Sequence, residues 1–225
     1  MCPTADSEGA RRGVPPTSER LETERLAIRR LADSDLEPFL AYRNDPEVAR
    51  YQSWDSCTER EATAMIEELK SEQPGTPGEW FQFAIELKET GALVGDCALK
   101  VEEDGRQAEV GFTLSREHQG KGYASEAVSR LLDYVFAQLD LHRVYAITDQ
   151  ENAPSVALLE RLGMRREGAF VENAWFKGRW SSEYLYAVLR REWHQRPREG
   201  EFSEVEQVPT AKKRARAVRP DPPSR

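Results

Sequence analysis

Cysteine and histidine are scarce in this chain of 225 residues, with three of each. Cys2, Cys57 and Cys97 are odd in number, scattered and not at metal-ligand spacing, so neither a disulfide framework nor a zinc site is expected, and no bound metal. His118, His142 and His194 have no partners at the spacing of a metal site or a catalytic triad. Ser125, Ser155 and Ser182 lack the strand-turn-helix context of a nucleophile elbow, which gives covalent acyl-enzyme chemistry no support. No run approaches the roughly 18 apolar residues of a spanning helix. The opening Met1-Cys2-Pro3-Thr4-Ala5-Asp6 lacks the apolar core of a signal peptide. A cytoplasmic protein without a membrane partner is therefore expected. No internal repeat is visible.

What the chain does contain is 39% apolar and 32% charged residues, enough for one globular domain with polar extensions. The formal charge of -8 is unevenly distributed. Residues 21–194 hold 32 acids against 21 bases, whereas residues 195–225 hold eight bases against five acids. An acidic body makes a poor nucleic-acid surface and suits cationic amines, although acids that only solubilise the surface would look the same. Residues 1–20 read as a disordered leader and 195–225 as a disordered tail with the basic cluster Lys212-Lys213-Arg214-Ala215-Arg216, since neither has an apolar period.

Between them, Leu26-Ala27-Ile28 with Arg29 and Arg30 predicts a first strand, and Asp33 or Ser34 is placed to cap a helix through Leu36, Phe39, Leu40 and Tyr42. A second helix is expected after Ser56 or Thr58, its stripe being Ala62, Met65, Ile66 and Leu69. Residues 73–78, rich in Pro and Gly, break the chain. Trp80–Leu87, Ala92–Val101 and Ala108–Leu114 predict three antiparallel strands, joined at Glu89-Thr90-Gly91 and Glu103-Asp104-Gly105. A long helix carries Ala124, Ala127, Val128, Leu131, Leu132, Val135, Phe136 and Leu139 at three-four spacing. Then come a strand at Arg143–Ile147, a helix from Asn152 to a glycine stop at Gly163, and strands at Met164–Phe170 and Tyr184–Leu189. The sum is a single α+β domain over 21–194, with a mixed, mostly antiparallel sheet flanked by helices.

The most informative stretch is Gln119-Gly120-Lys121-Gly122-Tyr123-Ala124, a glycine-rich turn between a strand and an amphipathic helix. The first amides of a helix lack intrahelical acceptors, the helix dipole adds positive potential there, and glycine lets a pyrophosphate reach the main chain. An ordinary strand-to-helix turn is the competing reading.

Gln119-x-x-Gly122-x-Ala124 is followed by Asn152-Ala153-Pro154-Ser155 and Leu159-Glu160-Arg161-Leu162-Gly163-Met164. Leu21-Glu22-Thr23-Glu24-Arg25-Leu26, Val94-Gly95-Asp96, Tyr186-Ala187-Val188-Leu189 and Glu192-Trp193 complete an ordered set. Over residues 21–194 this set resembles the GNAT N-acetyltransferases, in particular the RimJ/RimL-type branch that acetylates ribosomal-protein N-termini.

The resemblance implies acetyl-CoA as co-substrate, with Gln119, Gly120, Lys121, Gly122, Tyr123 and Ala124 around its pyrophosphate. The pantetheine arm would run along Phe112, Thr113 and Leu114, on a strand that splays from its neighbour, with Asn152 holding a pantetheine amide. Lys121 would meet phosphate as a point charge, or remain a surface lysine. The RimJ/RimL-type resemblance implies Ser155 as donor to the departing sulfur, while Leu159 stands where many other relatives carry a tyrosine acid; Asn152 or Ser155 could instead only cap the helix. Glu109 is the implied general base, unless it faces solvent, and Glu172 is a second candidate. Tyr51, Trp54, Trp175, Phe176 and Trp180 could wall an acceptor pocket or simply pack.

The expected function is acetyl transfer from acetyl-CoA directly to a primary amine, either a protein N-terminus or a small-molecule amine. A homodimer stays open. The alternative from another class is a catalytically weak acyl-CoA-binding module. A dinucleotide-binding oxidoreductase fits less well, because Ser125 replaces a third glycine and the preceding strands form a meander.

Overall fold

A computed structural model describes residues 20–196. The expected leader and tail, apart from Arg20, Gln195 and Arg196, lie outside the described residues. Strand β1 (Leu21–Glu22) pairs with β2 (Leu26–Arg30). A 3-10 turn, Asp33–Asp35, leads into helix α1 (Leu36–Arg43), followed by the short α2 (Pro46–Ala49) and by α3 (Glu59–Ser71). The meander consists of β3 (Trp80–Leu87), β4 (Leu93–Val101) and β5 (Gln107–Leu114). Helix α4 (Tyr123–Ala137), strand β6 (Arg143–Asp149), helix α5 (Ala153–Arg161), strands β7 (Arg165–Phe176) and β8 (Arg179–Leu189) and helix α6 (Arg190–Gln195) complete the domain.

The eight strands form one sheet in the order β1-β2-β3-β4-β5-β6-β8-β7. Every pairing is antiparallel except β5 with β6. That parallel pairing is short: Gln107, Ala108 and Glu109 match Arg143, Val144 and Tyr145, after which both strands run on without pairing to each other. From Val110 and Ala146 onward the sheet is therefore split, which is the splay expected of the strand before the glycine loop.

Successive residues of a strand face opposite sides, and different helices cover the two faces. Helix α1 lies over the face bearing Gln82 and Asp96. There the Tyr42 hydroxyl donates to the buried Asp96 carboxylate, Gln82 Nε2 donates to it at 3.1 Å, and Arg43 approaches to 3.6 Å. Burial pushes the Asp96 carboxyl up, and the nearby Arg43 charge opposes it. The Arg43 guanidinium stacks between Phe39 and Trp54, 4.4 and 4.0 Å from their ring centroids, which anchors the segment after α2 to the domain. Helix α4 covers the opposite face with Ala127, Val128, Leu131, Leu132, Val135 and Phe136 buried at three-four spacing, and Tyr134 meets Phe83 edge-on.

Two local expectations are corrected. Neither Asp33 nor Ser34 caps α1; Asp35 is buried instead, accepting from Ala32 N at 2.8 Å and from both terminal nitrogens of Arg29 at 2.6 and 2.9 Å. The last two strands are also far longer than the six or so residues expected of each. They span 12 and 11 residues and form a hairpin that continues well past the sheet.

Candidate active site

The glycine loop adopts the backbone that its composition suggests. Gly120 and Gly122 have φ of +73° and +82°, and Gly122 occupies the N-cap of α4, where it offers no side chain to the helix amides. The backbone amides from Gly120 to Ser125 donate no hydrogen bond among the described residues. Six successive open donors at a helix start, reinforced by the helix dipole, form an anion cradle. Arg25 props the loop from beneath. It donates to the Lys121 carbonyl at 3.0 Å, lies 4.7 Å from the Tyr123 ring centroid and pairs with Glu126 at 2.6 Å. Burial opposes ionisation of Glu126, but hydrogen bonds from Thr23 and Arg25 prevail and hold its carboxyl below the ordinary range. The Leu21–Leu26 stretch is thus the mount on which the loop is set.

In front of the loop opens a cleft of ≈ 780 Å³. Phe112, Thr113, Leu114, Gln119, Gly120, Gly122, Tyr123, Ala124, Asn152 and Ser155 all line it. Gln119 also bonds the Leu114 carbonyl through Nε2 at 3.1 Å, tying the loop to the end of β5. Lys121 does not line the cleft; its side chain is exposed and its carbonyl faces Arg25. Three arginines do line it, Arg50, Arg116 and Arg161, arriving from three separate segments. Sequence reading missed all three as site residues, because Arg50 and Arg116 sit in irregular stretches and Arg161 looks like the basic end of an amphipathic helix. Open amides, a glycine approach and three guanidinium groups fit the phosphates of a coenzyme A molecule.

At the far end the cleft meets a second, narrow cavity of ≈ 140 Å³ that passes through the split between β5 and β6. Tyr51, Gln52, Phe112, Asn152 and Ser155 line both. Asn152 is the cap of α5: its Oδ1 accepts from Ser155 N at 3.3 Å, so its amide nitrogen is still free to donate. The Ser155 hydroxyl makes no hydrogen bond among the described residues and is presented to the junction. Leu159, buried behind it, also lines the narrow cavity and supplies no proton.

Beyond the junction the narrow cavity is walled by Ile147, Asp149, Phe176, Ser181 and Glu183. Three surface segments are fastened together over it. Lys177 Nζ, at the tip of the β7–β8 hairpin, donates to the carbonyls of Ala49 and Trp54, both at 2.7 Å; Arg179 pairs with Glu151 at 3.0 Å; and Tyr51 donates to the Glu151 carbonyl at 3.3 Å. Phe176 lines the narrow cavity, whereas Trp175 and Trp180 meet edge-on and are largely exposed.

Glu109 and Glu172 line neither cavity. Glu109 sits on the still-paired part of β5, where Tyr145 donates to it at 3.4 Å and to Glu102 at 2.5 Å. Burial lifts the Glu109 carboxyl above its ordinary value, the Tyr145 bond opposes this, and the Glu102 charge adds to it. Glu172 is exposed at an irregularity in β7, with φ of +48° and its amide bonded to Ser182 Oγ at 2.9 Å.

Residues 25–165 match the family model described as Acetyltransferase (GNAT) domain. The uncharacterized N-acetyltransferase p20 of Bacillus licheniformis is 37% identical to this chain over 78% of it and 98% of the relative. A solved acetyltransferase (GNAT family) structure from Bacillus anthracis is 31% identical and covers 77% of this chain and 99% of that one, with a TM-score of 0.69. The spermidine N-acetyltransferase from Vibrio cholerae, solved in complex with CoA and spermine, is 26% identical and covers 76% of this chain and 99% of its own, with a TM-score of 0.67.

Proposed function

Because this chain belongs to the GNAT acetyltransferase family, we propose that it takes acetyl-CoA into the large cleft and passes the acetyl group directly to a primary amine entering through the narrow cavity. The observation that carries this reading is the junction: two cavities of very different size and lining share Phe112, Asn152 and Ser155, so a thioester at the end of one faces a nucleophile at the end of the other. In a ternary complex the reacting atoms are brought together by binding alone, which removes much of the entropic barrier.

The residues divide the work by position. The amides of Gly120 to Ala124 and the guanidinium groups of Arg50, Arg116 and Arg161 hold phosphate. The free edge of β5 from Val110 to Leu114 and the Asn152 amide nitrogen orient the pantetheine arm. Ser155 donates to the sulfur as it gains negative charge, an interaction that strengthens toward the transition state. The acceptor side carries Asp149 and Glu183 and so suits a cationic amine. The volume of ≈ 140 Å³ is small beside the roughly 300–1,000 Å³ of pockets that engulf a whole small molecule, so an acceptor enters by its amine end. A polyamine, the acceptor type in the Vibrio cholerae relative's name, and a protein N-terminus both present such an end.

Release of CoA thiol from acetyl-CoA, followed with spermidine, spermine and short peptides bearing free N-termini, tests the reading. Turnover with at least one acceptor is expected, together with acetyl-CoA binding by calorimetry. Binding without turnover across the panel would leave an acyl-CoA-binding module, and the absence of binding would remove the cleft from the argument.

A further inference from the structure

Acetyl transfer needs a group that relieves the acceptor of a proton, because an alkylammonium has no lone pair and amines of this kind are mostly protonated near neutral pH. Among the carboxylates that line the narrow cavity, Asp149 and Glu183 face each other across β6 and β8 as register partners, on the same side of the sheet. Asp149 is already committed. Its Oδ1 accepts from Glu151 N at 2.7 Å, and its Oδ2 accepts from the Ser181 hydroxyl with Arg179 at 3.9 Å. Glu183 is held from one side only: Asn173 Nδ2 donates to Oε2 at 2.5 Å, and no described residue donates to Oε1.

The geometry points to Glu183 as the proton acceptor for the incoming amine, a reading that rests on the acetyl transfer proposed above. Asn173 fixes the carboxylate by one oxygen and leaves the other for the substrate. Like charges directly opposite one another on a sheet are unfavourable, and here Asp149 faces Glu183 while Glu109 lies near enough for the two charges to be felt. Arg179 is shared between Asp149 and Glu151, and Lys100, whose charge reaches Glu109, does not line the cavity. Tyr51 is the remaining titratable group along the cavity wall. An ammonium therefore enters a site short of positive charge, and Glu183 is half-buried, with a route for the proton to solvent.

The protons balance as follows. Glu183 Oε1 takes one proton from the ammonium and later returns it to water. The freed nitrogen lone pair forms the C–N bond at the acetyl carbonyl carbon, the C–S bond breaks with its electron pair going to sulfur, and the second proton lost by the nitrogen ends on the CoA thiol by way of the Ser155 hydroxyl. One proton is released overall, and no oxidant or reductant is needed.

Glu183→Gln keeps the shape and an oxygen for Asn173. With the fastest acceptor of the amine and peptide panel, its kcat/KM at pH 7 should fall about 10²–10³-fold while acetyl-CoA affinity stays within about twofold, and the deficit should shrink as pH rises and free amine accumulates. Glu183→Asp should retain an intermediate rate. Thermal melting of each variant checks folding; if Glu183→Gln does not fold, a Glu183→Asp rate equal to wild type would overturn the assignment by itself. A folded Glu183→Gln protein with wild-type turnover and an unchanged pH profile would overturn it while leaving acetyl transfer intact. A wild-type protein that binds acetyl-CoA and acetylates no member of the panel would instead bring down the transfer reading, and this assignment with it.

Discussion

Ser155 and Asn152 share one helix start, and the structure separates their jobs. The cap is made by the Asn152 side chain to the Ser155 backbone amide, so the Ser155 hydroxyl can be removed without touching it. Ser155→Ala should lower kcat by about 10–10²-fold with stability nearly unchanged, whereas Asn152→Ala should cost roughly 0.5–2 kcal/mol of stability as well as cofactor affinity. Steady-state kinetics and melting curves on the two variants check this, and a normal kcat in Ser155→Ala would remove the serine from the chemistry. Glu109 makes the opposite case. Its ionisation is held above the ordinary carboxyl range mainly by burial, so over that window the folded protein keeps a proton that the unfolded chain has lost. Stability from this group therefore falls as pH rises through the window, and at neutral pH the buried charge is a net cost. Glu109→Gln, which still accepts from Tyr145, should raise Tm by about 2 °C at pH 7 and not at pH 4, with turnover within about threefold of wild type. Loss of turnover with folding intact would return the base role to Glu109. At this scale the legible residues were those close together in the chain: the glycine loop, Asn152 and Ser155 announce themselves by type and spacing. Glu183 and the three arginines did not: Glu183 reaches the site through strand register and Arg50 through loop closure across more than twenty residues, while Arg116 and Arg161, though near the glycine loop and Ser155 in the chain, look like ordinary basic residues of a turn and a helix end.

At the scale of elements, periodicity located the long helices and the meander to within a few residues, since each buries one face and alternates accordingly. It failed on the last hairpin for a physical reason. Most of β7 is exposed, register irregularities between Arg166 and Gly168 and between Phe170 and Ala174 disturb its alternation, and the two-residue turn is Lys177-Gly178 rather than an Asn-Gly or Asp-Gly pair. Both turn residues have positive φ, 48° and 78°, as a tight hairpin with the twist of its strands requires. Lysine at such a position is costly, and the Lys177 ammonium uses it to reach two backbone carbonyls of the segment after α2. The hairpin thus fastens Tyr51 and Gln52 over the junction of the two cavities. Lys177→Ala should raise KM for acceptor and acetyl-CoA by about 3–10-fold with a smaller effect on kcat, and should speed amide hydrogen exchange at residues 49–55. Unchanged exchange there would show that the Arg43–Trp54 stack and the Tyr51–Glu151 bond hold the segment without Lys177. The short α2 was also missed, although Asp45 and Pro46 are its cap and first residue; four residues are too few to show a period.

For the whole molecule, the question is where the folded unit stops. Leu21 is buried and pairs with Ile28 at one edge of the sheet, and Arg20 just before it bonds Glu86 at 2.9 Å. At the other end Trp193 is buried, packs near Phe136 and donates through Nε1 to Asp133 on α4 at 2.7 Å, while α6 runs to Gln195. Among the described residues the hydrophobic core runs from Leu21 to Trp193. We propose residues 20–196 as the independently folding domain. A chain cut to that span should melt within about 2 °C of the full chain and keep acetyl-CoA affinity and turnover within about twofold. Cutting further, to end at Leu189, removes the buried Trp193 side chain, a class of loss that costs about 3–5 kcal/mol in a core, and in a domain of this size each kcal/mol is worth roughly 2–4 °C of Tm. The shorter chain should therefore lose about 6 °C or more, or fail to accumulate as a folded protein. If the 20–196 chain suffers a loss of that size, residues 1–19 or 197–225 contribute to the domain after all, and adding back one segment at a time identifies which.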